Sequence, residues 1–506
     1  MRPSPLTIFI CLIFLFPFSC FSQPAYLPNQ PRDSSFHFTQ LQYFASTRQT
    51  PFWMQANQFG IVPQKNPAAL LHLGVEHFTD IFNKFRKVKN LRIGGGIEAA
   101  ISFPNAKIRL PQLFGSIRLK NWEFFIGRKK QSVGLADSTI GMGSYVWSGN
   151  AMPIPKLQAG TSGFITIPLT RNWIAFSGFY SDGFFENKRS ITSGLKLHQK
   201  ALYLRLGRLD SRLKLYGGFN HQAQWGGRSP YHSIDDKLPD GLRNYFNVVT
   251  GKAHVKSGKI TNFDSTNRIG NHLGTIDLAV EVETFSSSIF LYRQNVYEDG
   301  SLYHLNNISD GLNGIRFRRK NLYSDVFSIQ EVVVEFLNTK SQGGSIANVG
   351  SYVRGKDDYF NNAQIRDGWS YYDRTIGTPF IPPTSATKWN WPVNADFLTS
   401  NNRVSVWHLG VSGECLKNIN WTTKFSYSDN AGTYNVNFES SAKQFSGLLA
   451  FQLPLNILGK NYVKLFRCCR SGKALSKNVW ICTWNQKKPT SWIFSEINRP
   501  QNWPGF

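Results

Sequence analysis

The sequence predicts an all-β protein: a transmembrane outer-membrane β-barrel of about 18 antiparallel strands with long extracellular loops. Three observations point there. Apolar and polar residues alternate with period two along most of the chain. Short and long connections take turns between the alternating segments, so that the long ones fall on one side. Phe, Tyr and Trp make up 14% of the chain and charged residues 17%, against about 25% charged in average soluble proteins.

The elements follow in chain order. Arg2, the apolar run Leu6–Phe18 and the small residues Ser19–Ser22 read as a secretory signal peptide over residues 1–22. Cys20 raises a lipoprotein alternative, but Pro17 and Phe18 fit a lipidation site poorly. Residues 23–66 precede the clear strands and are assigned to a periplasmic, plug or flanking segment; Pro51 and Pro63 argue against long helices there. Residues 67–460 form the expected barrel.

Within it, Ile276, Leu278, Val280 and Val282 alternate with Asp277, Ala279, Glu281 and Glu283, and Ile315 and Phe317 with Arg316 and Arg318. Leu213, Leu215 and Phe219 alternate with Lys214, Tyr216 and Asn220, and Trp421, Thr423, Phe425 and Tyr427 with Thr422, Lys424 and Ser426. A soluble sandwich gives the same alternation, so loop parity has to decide. Short turns fall at Lys120–Asn121, Gly207–Arg212, Phe285–Ser287 and Asn321–Ser324. Long connections fall between them at Lys130–Gly160, Gly183–Leu195, Ala223–His272, Glu298–Leu312 and Asn338–Asn401. From Leu70 onward the parity never breaks, so the strand count is even and both ends lie in the periplasm.

Chemistry motifs are sparse. There is no HExxH, GxSxG or Walker A motif, and no CxxC pair for zinc or thiol chemistry. No cofactor and no metal are expected. Gly94, Gly95 and Gly96 lie inside a strand pattern and read as a close backbone approach, not a dinucleotide site. The adjacent acids Asp235–Asp236 and Asp357–Asp358 sit in long loops, where a catalytic pair competes with plain loop acids.

The long loops are richer in aromatics interleaved with bases: Trp147, Trp225, Tyr231, Tyr245, Tyr359, Trp369, Tyr371 and Trp391 among Arg228, Arg243, Arg366 and Arg374. Aromatic faces with polar neighbours suit sugars, and bases add attraction for uronates or phosphates. The competing reading is that these rings pack the loops over the barrel mouth. The net charge of +26 suggests contact with lipopolysaccharide phosphates or an acidic polymer; an exported chain is not expected to meet nucleic acid.

Several stretches carry a family resemblance: SGNAMPIP at Ser148–Pro155, GFNHQAQWGG at Gly218–Gly227, DGLNG at Asp310–Gly314, YFNN at Tyr359–Asn362, GWSY at Gly368–Tyr371, IGTPF at Ile376–Phe380 and GTY at Gly432–Tyr434. Each is weak alone, but their order and coverage are specific. The chain resembles the Wzi-type capsule assembly proteins. That resemblance implies an outer-membrane barrel of about eighteen strands. It also implies a lectin-like role, not an enzymatic one, in holding capsular polysaccharide or exopolysaccharide at the cell surface.

His221, Gln224 and Trp225 match the family's most recognisable stretch and end a strand on the loop side, where they equally suit a structural latch. With Arg228, Tyr359, Arg366, Trp369 and Tyr371 they form the candidate polysaccharide-binding set. The implied partners are the polymer, outer-membrane lipids and lipopolysaccharide, and the barrel assembly machinery, with the chain as a monomer. A porin is the alternative, since Asp277, Glu281, Glu283, Arg316 and Arg318 would suit a wet lumen.

The C-terminus departs from the family pattern. Residues 461–506 alternate poorly and gather Cys468, Cys469 and Cys482. Nine Lys and Arg stand against the single acid Glu496 from Lys460 onward. The expectation there is an atypical or frameshifted tail that leaves Ser446–Leu455 without a closing partner.

Overall fold

The computed structural model describes residues 33–487, except 45–48, 65–68, 82–90, 253–260, 262, 264–267, 299–305, 321–325, 347–354, 388–390, 417, 456–459 and 472–478. The signal peptide and the last residues of the tail lie outside the described set.

Eighteen long strands follow one another around a single sheet. They are β1 Asp33–Phe44, β2 Ala69–Asp80, β3 Leu91–Phe103, β4 Lys107–Leu119, β5 Trp122–Arg128, β6 Lys156–Thr161, β7 Ile174–Phe184, β8 Lys196–Leu206 and β9 Leu213–Trp225. Then come β10 Asn271–Glu283, β11 Ser287–Glu298, β12 Gly311–Arg319, β13 Phe327–Asn338, β14 Val404–Cys415, β15 Ile419–Gly432, β16 Asn437–Leu455, β17 Lys460–Ser471 and β18 Val479–Lys487. Each pairs antiparallel with the next, and β18 pairs antiparallel with β1, from Phe38↔Lys487 to Phe44↔Ile481. The ring of pairings therefore closes, and no barrel edge is left unpaired, as a hydrocarbon environment requires.

The alternation has the sense expected in a membrane. On β10 Leu278 is 55% exposed while Asp277 is fully buried; on β12 Ile315 and Phe317 are exposed and Arg316 is buried. Apolar side chains outside and polar ones inside reverse the arrangement of a soluble sandwich. Aromatics mark both rims. Phe327 stacks on Trp421 (5.1 Å, 13°) near the short-turn end, and Phe336 packs on Trp407 (4.6 Å) near the other. Among the described residues no helix is long and apolar enough to cross a membrane. Gly94 in β3 leaves room for the Phe78 ring, which a Cβ there would meet at 2.2 Å.

Loop parity holds throughout. The connections 45–68, 129–155, 185–195, 226–270, 299–310 and 339–403 all lie at one end. The opposite end has no connection longer than 162–173, and both ends of the described chain emerge there.

Barrel strands extend beyond the 67–460 span drawn from the sequence on both sides. β1 falls in the segment assigned to residues 23–66, and β17 and β18 fall in the tail. The tail forms strands, and β17 gives β16 a partner over Phe445–Leu455. Its alternation is weak for a physical reason: on β17 Leu465 faces out, while Phe466 and Cys468 turn inward onto the apolar core. With lipid on one side and packed core on the other, apolar residues fall on both faces.

That core fills the lumen. Residues 49–64, with the short helix α1 (Phe52–Gln55), and described parts of the connections 129–155 and 339–403, among them Val133–Ile154 and Tyr359–Ile381, contribute buried side chains to it. The inward polar residues grip them. Asp277 accepts from the Leu135 N–H (2.7 Å), Gln294 from the Tyr145 N–H (2.8 Å) and Glu335 from the Met142 N–H (2.5 Å). His408 meets the Ile140 carbonyl at 2.8 Å, and Arg316 pairs with the buried Asp137 at 3.5 Å. Asp277 and Arg316, which suited a wet lumen by sequence, are consumed by the plug. Glu283 and Arg318, nearer the short-turn end, pair with Lys320 (2.6 Å) and Glu331 (2.7 Å).

Candidate functional site

An insertion of this kind must satisfy the backbone it buries. The 129–155 connection makes a tight turn around Asp137, whose carboxylate accepts the N–H groups of Thr139, Ile140 and Gly141 at 2.8–2.9 Å. Burial pushes that carboxyl up, but Arg316 and the Gly141 and Ile140 N–H groups outweigh it and hold it below its ordinary value.

The two inserted loops are then sewn together. Ser148 Oγ donates to the Gly377 carbonyl (2.8 Å), Asn150 Nδ2 to Thr375 O (2.9 Å), and Trp369 Nε1 to Val146 O (2.8 Å). Ser148, Asn150, Trp369 and Gly377 belong to three of the family-like stretches, which meet at this seam between plug loops.

The eight sequence-predicted site residues divide accordingly. His221, Gln224, Trp225, Tyr359, Trp369 and Tyr371 are buried. Gln224 Nε2 donates to the Gly368 carbonyl (3.0 Å), and the Tyr359 hydroxyl donates to Asp310 (2.9 Å). Tyr371 accepts from Arg128 (3.0 Å), and Trp369 packs on Trp147 (5.9 Å). His221 bonds His272 across adjacent strands (2.9 Å), and Trp225 packs against Tyr245 (5.5 Å). These six are buried against neighbouring residues, Gln224, Tyr359, Trp369 and Tyr371 on the lumen side and His221 and Trp225 on the outer side of β9.

Arg228 is exposed, and Arg366 is half-buried. The Arg366 guanidinium lies 3.5 Å over the Tyr231 ring and 4.9 Å from that of Phe397, and pairs with Asp396 at 3.6 Å. This is a small aromatic and ionic platform joining the 226–270 and 339–403 connections. The loop acids hold loops too. Asp358 accepts from Asn402 (2.5 Å) and Asn361 (3.0 Å), and Asp235 and Asp236 occupy a left-handed turn (φ 53° and 58°).

A second feature was missed by the sequence reading. An open cleft lies at the long-loop mouth, between the plug and the inner wall of β15 and β16. Its polar lining is amide and hydroxyl: Gln55, Gln64, Asn150, Asn401, Asn430 and Gln444 with Thr50 and Ser428. Phe52, Phe380 and Trp391 supply apolar faces. Trp391 is half-buried and packs on Phe438 (5.0 Å).

The one charged side chain of the lining, Arg374, is turned to the plug backbone. It donates to the carbonyls of Gln55 (3.3 Å) and Val62, and burial, with Arg109 adding to it, lowers its pKa to about 10. The cleft is therefore neutral in character. Neutral amides offer both donors and acceptors, which matches sugar hydroxyls. The lining comes from four distant stretches of chain, 49–64, Asn150, 374–401 and 428–444, so only the alternation of β15 and β16 carried a local signal.

Comparison with known proteins follows this geometry. The family described as capsule assembly protein Wzi matches residues 56–389, a span that holds most of the plug. No curated protein sequence matches the chain. Among solved structures it is similar to Wzi of Escherichia coli, described as an outer membrane protein involved in group 1 capsule assembly and a carbohydrate-binding β-barrel. The identity is 11% and the TM-score 0.56, over 89% of this chain and 83% of that one. OccAB4 of Acinetobacter baumannii follows at 8% identity and TM-score 0.47, over 91% and 99% of the two chains. OccK5 of Pseudomonas aeruginosa stands at 8% and 0.44, over 92% and 100%.

Proposed function

The chain belongs to the capsule assembly protein Wzi family, and we propose that it binds capsular polysaccharide or exopolysaccharide at the extracellular mouth of its barrel and so assists capsule assembly. It sits in the outer membrane as a β-barrel. The observation that carries the reading is the cleft walled by amides, hydroxyls and the faces of Trp391 and Phe52. Sugar rings stack their C–H faces on aromatics and exchange hydrogen bonds with amides. The carbohydrate binding described for the Escherichia coli protein supports the extension to this chain.

The role is binding and anchoring, with no catalytic step. The Arg366 platform and the exposed Arg228 lie on the same face and would add attraction where the polymer is acidic. The reading includes lipopolysaccharide around the barrel, the barrel assembly machinery as its inserter and a monomer as the working unit, the last supported by the closure of the ring by one chain.

The test is a deletion strain in which cell-bound polymer and polymer in the medium are both measured. Polymer that is still made but shed supports the anchor. Unchanged cell-bound polymer sinks it and leaves the family resemblance as a statement of fold.

A further inference from the structure

The outer wall is not uniform. On β5 the outward row is apolar up to Ile126, which is 66% exposed, whereas on β7 it carries Asp182 between Tyr180 and Phe184. On β8, β9 and β10 the outward row runs from Leu202, Phe219 and Leu278 into Lys200, His198, His221 and His272 at that end. Register confirms that these groups share a face: Lys200 lies opposite His221, and His198 opposite both Asp182 and Ala223. Ionisable side chains turned toward hydrocarbon are costly unless covered and paired.

They are covered from outside. Helix α2 (Leu242–Thr250), in the 226–270 connection, folds back over the wall. Val248 is buried with Ala223, Trp225 and Ile269 in a cluster separate from the lumen core. The Tyr245 hydroxyl donates to Asp182 (2.8 Å), and its ring lies 5.9 Å from that of His198. Lys200 donates to the Val249 carbonyl, and Lys196 pairs with Asp240 just before the helix (2.6 Å). Beneath it His198 bonds Asp182 (3.0 Å) and His221 bonds His272 (2.9 Å).

The other face of the helix is apolar. Leu242 is 72% exposed and Phe246 58%, four residues apart and so on one face, beside the exposed Arg243 and Lys252. We propose that α2 is an interfacial membrane helix: it seals the polar seam of β7–β10 and presents Leu242 and Phe246 to the acyl chains of the outer leaflet. Continuity argues for lipid. The apolar belt breaks where the wall turns polar, and the helix restores it there. Bases beside an apolar face suit an anionic lipid surface, with Arg243 and Lys252 level with the phosphates. The inference rests on the wall and stands apart from the polymer reading.

The test places the photo-crosslinker p-benzoylphenylalanine at Phe246 of the full chain in intact cells. Leu278 on the lipid-facing wall is the positive reference and the exposed Tyr372 the negative one. The crosslinker is an aromatic side chain at an exposed position, and heat-modifiable gel mobility verifies that the barrel has formed. The expected result is an adduct with lipopolysaccharide at 246 as at 278, and its loss at 372. An adduct joining two copies of the chain, an adduct with polymer, or no lipid adduct at 246 while 278 yields one would overturn the proposal.

Discussion

Trp369 and Trp391 belong to the same 339–403 connection and have opposite circumstances. Trp369 is fully buried, its indole N–H held by Val146 O, its ring between Trp147 and Phe185. Trp391 is half-buried at the wall of an open cleft. At the plug seam Trp369, Ser148 and Asn150 have polar atoms met by another loop, while the mouth holds side chains left partly facing solvent. Composition does not separate them, because both regions are rich in aromatics and amides. What separates them is whether a second loop arrives to cover the ring, which a linear sequence does not display.

The largest effect should come from removing the plug. Deleting residues 132–150 takes away the backbone that Asp277, Gln294, Glu335 and His408 hold. The full chain reconstituted in planar bilayers is expected to be quiet, and the deletion to conduct steadily. A steady pore from the intact chain would refute the plug and restore the porin alternative.

Next comes Trp369→Ala. Truncating a buried Trp costs roughly 3–5 kcal/mol, and here it also frees the Val146 carbonyl. Denaturant unfolding should shift accordingly, with faster trypsin cleavage at Lys129 and Lys130. An unchanged midpoint would mean that the seam between the loops does not support the barrel.

The plug and the mouth should also respond differently to acid. The Asp137 carboxyl lies below its ordinary 3.8 in the folded chain, net of burial, Arg316 and the backbone donors. A depressed acid contributes stability that is fully present above the unfolded value and is lost as pH falls through the folded one. Below about pH 3.8 the 129–155 connection should therefore loosen, and pepsin should cut it faster. Asp137→Asn should flatten that dependence. If the variant keeps the full acid response, other groups carry it.

How far the sequence displayed this contrast can be judged from particular residues. Loop parity and the alternation of Leu278 with Asp277 were legible because each strand must present one face to lipid whatever the rest of the chain does. β1 was missed because its alternation is confined to one short stretch ahead of a proline-bearing segment. β17 was misread because alternation weakens where the inner neighbour is also apolar, as at Phe466 and Cys468. The family-like stretches were visible, but they mark the places where buried loops meet. Ser148 bonds the carbonyl of Gly377 far along the chain, and a constraint of that kind keeps a motif recognisable without making it a binding site. The cleft stayed hidden because Gln55, Asn150, Asn401 and Gln444 come together only after three insertions.

At the mouth the effects should fall on binding alone. Trp391→Ala is expected to weaken polymer affinity by about tenfold, roughly 1.4 kcal/mol, and to leave unfolding within about 0.5 kcal/mol. Affinity electrophoresis through gels containing the polymer, beside a denaturant curve, reads both. A loss of stability without a loss of affinity would move Trp391 into the plug class.

The smallest effect, and the one that sharpens the comparison most, belongs to Arg228. It is exposed, and Arg366 near it is already held by Tyr231 and Asp396. An exposed base acts through solvent over a Debye length of about 8 Å at physiological salt. Arg228→Gln should therefore slow capture of an acidic polymer modestly at low salt and do nothing at high salt, because rim charges govern association more than affinity. A neutral polymer should not notice the change at any salt. If binding depends on Trp391 but not on Arg228 or on salt, the cleft alone reads the sugar. If both matter, the mouth reads sugar faces in the cleft and charge at its rim.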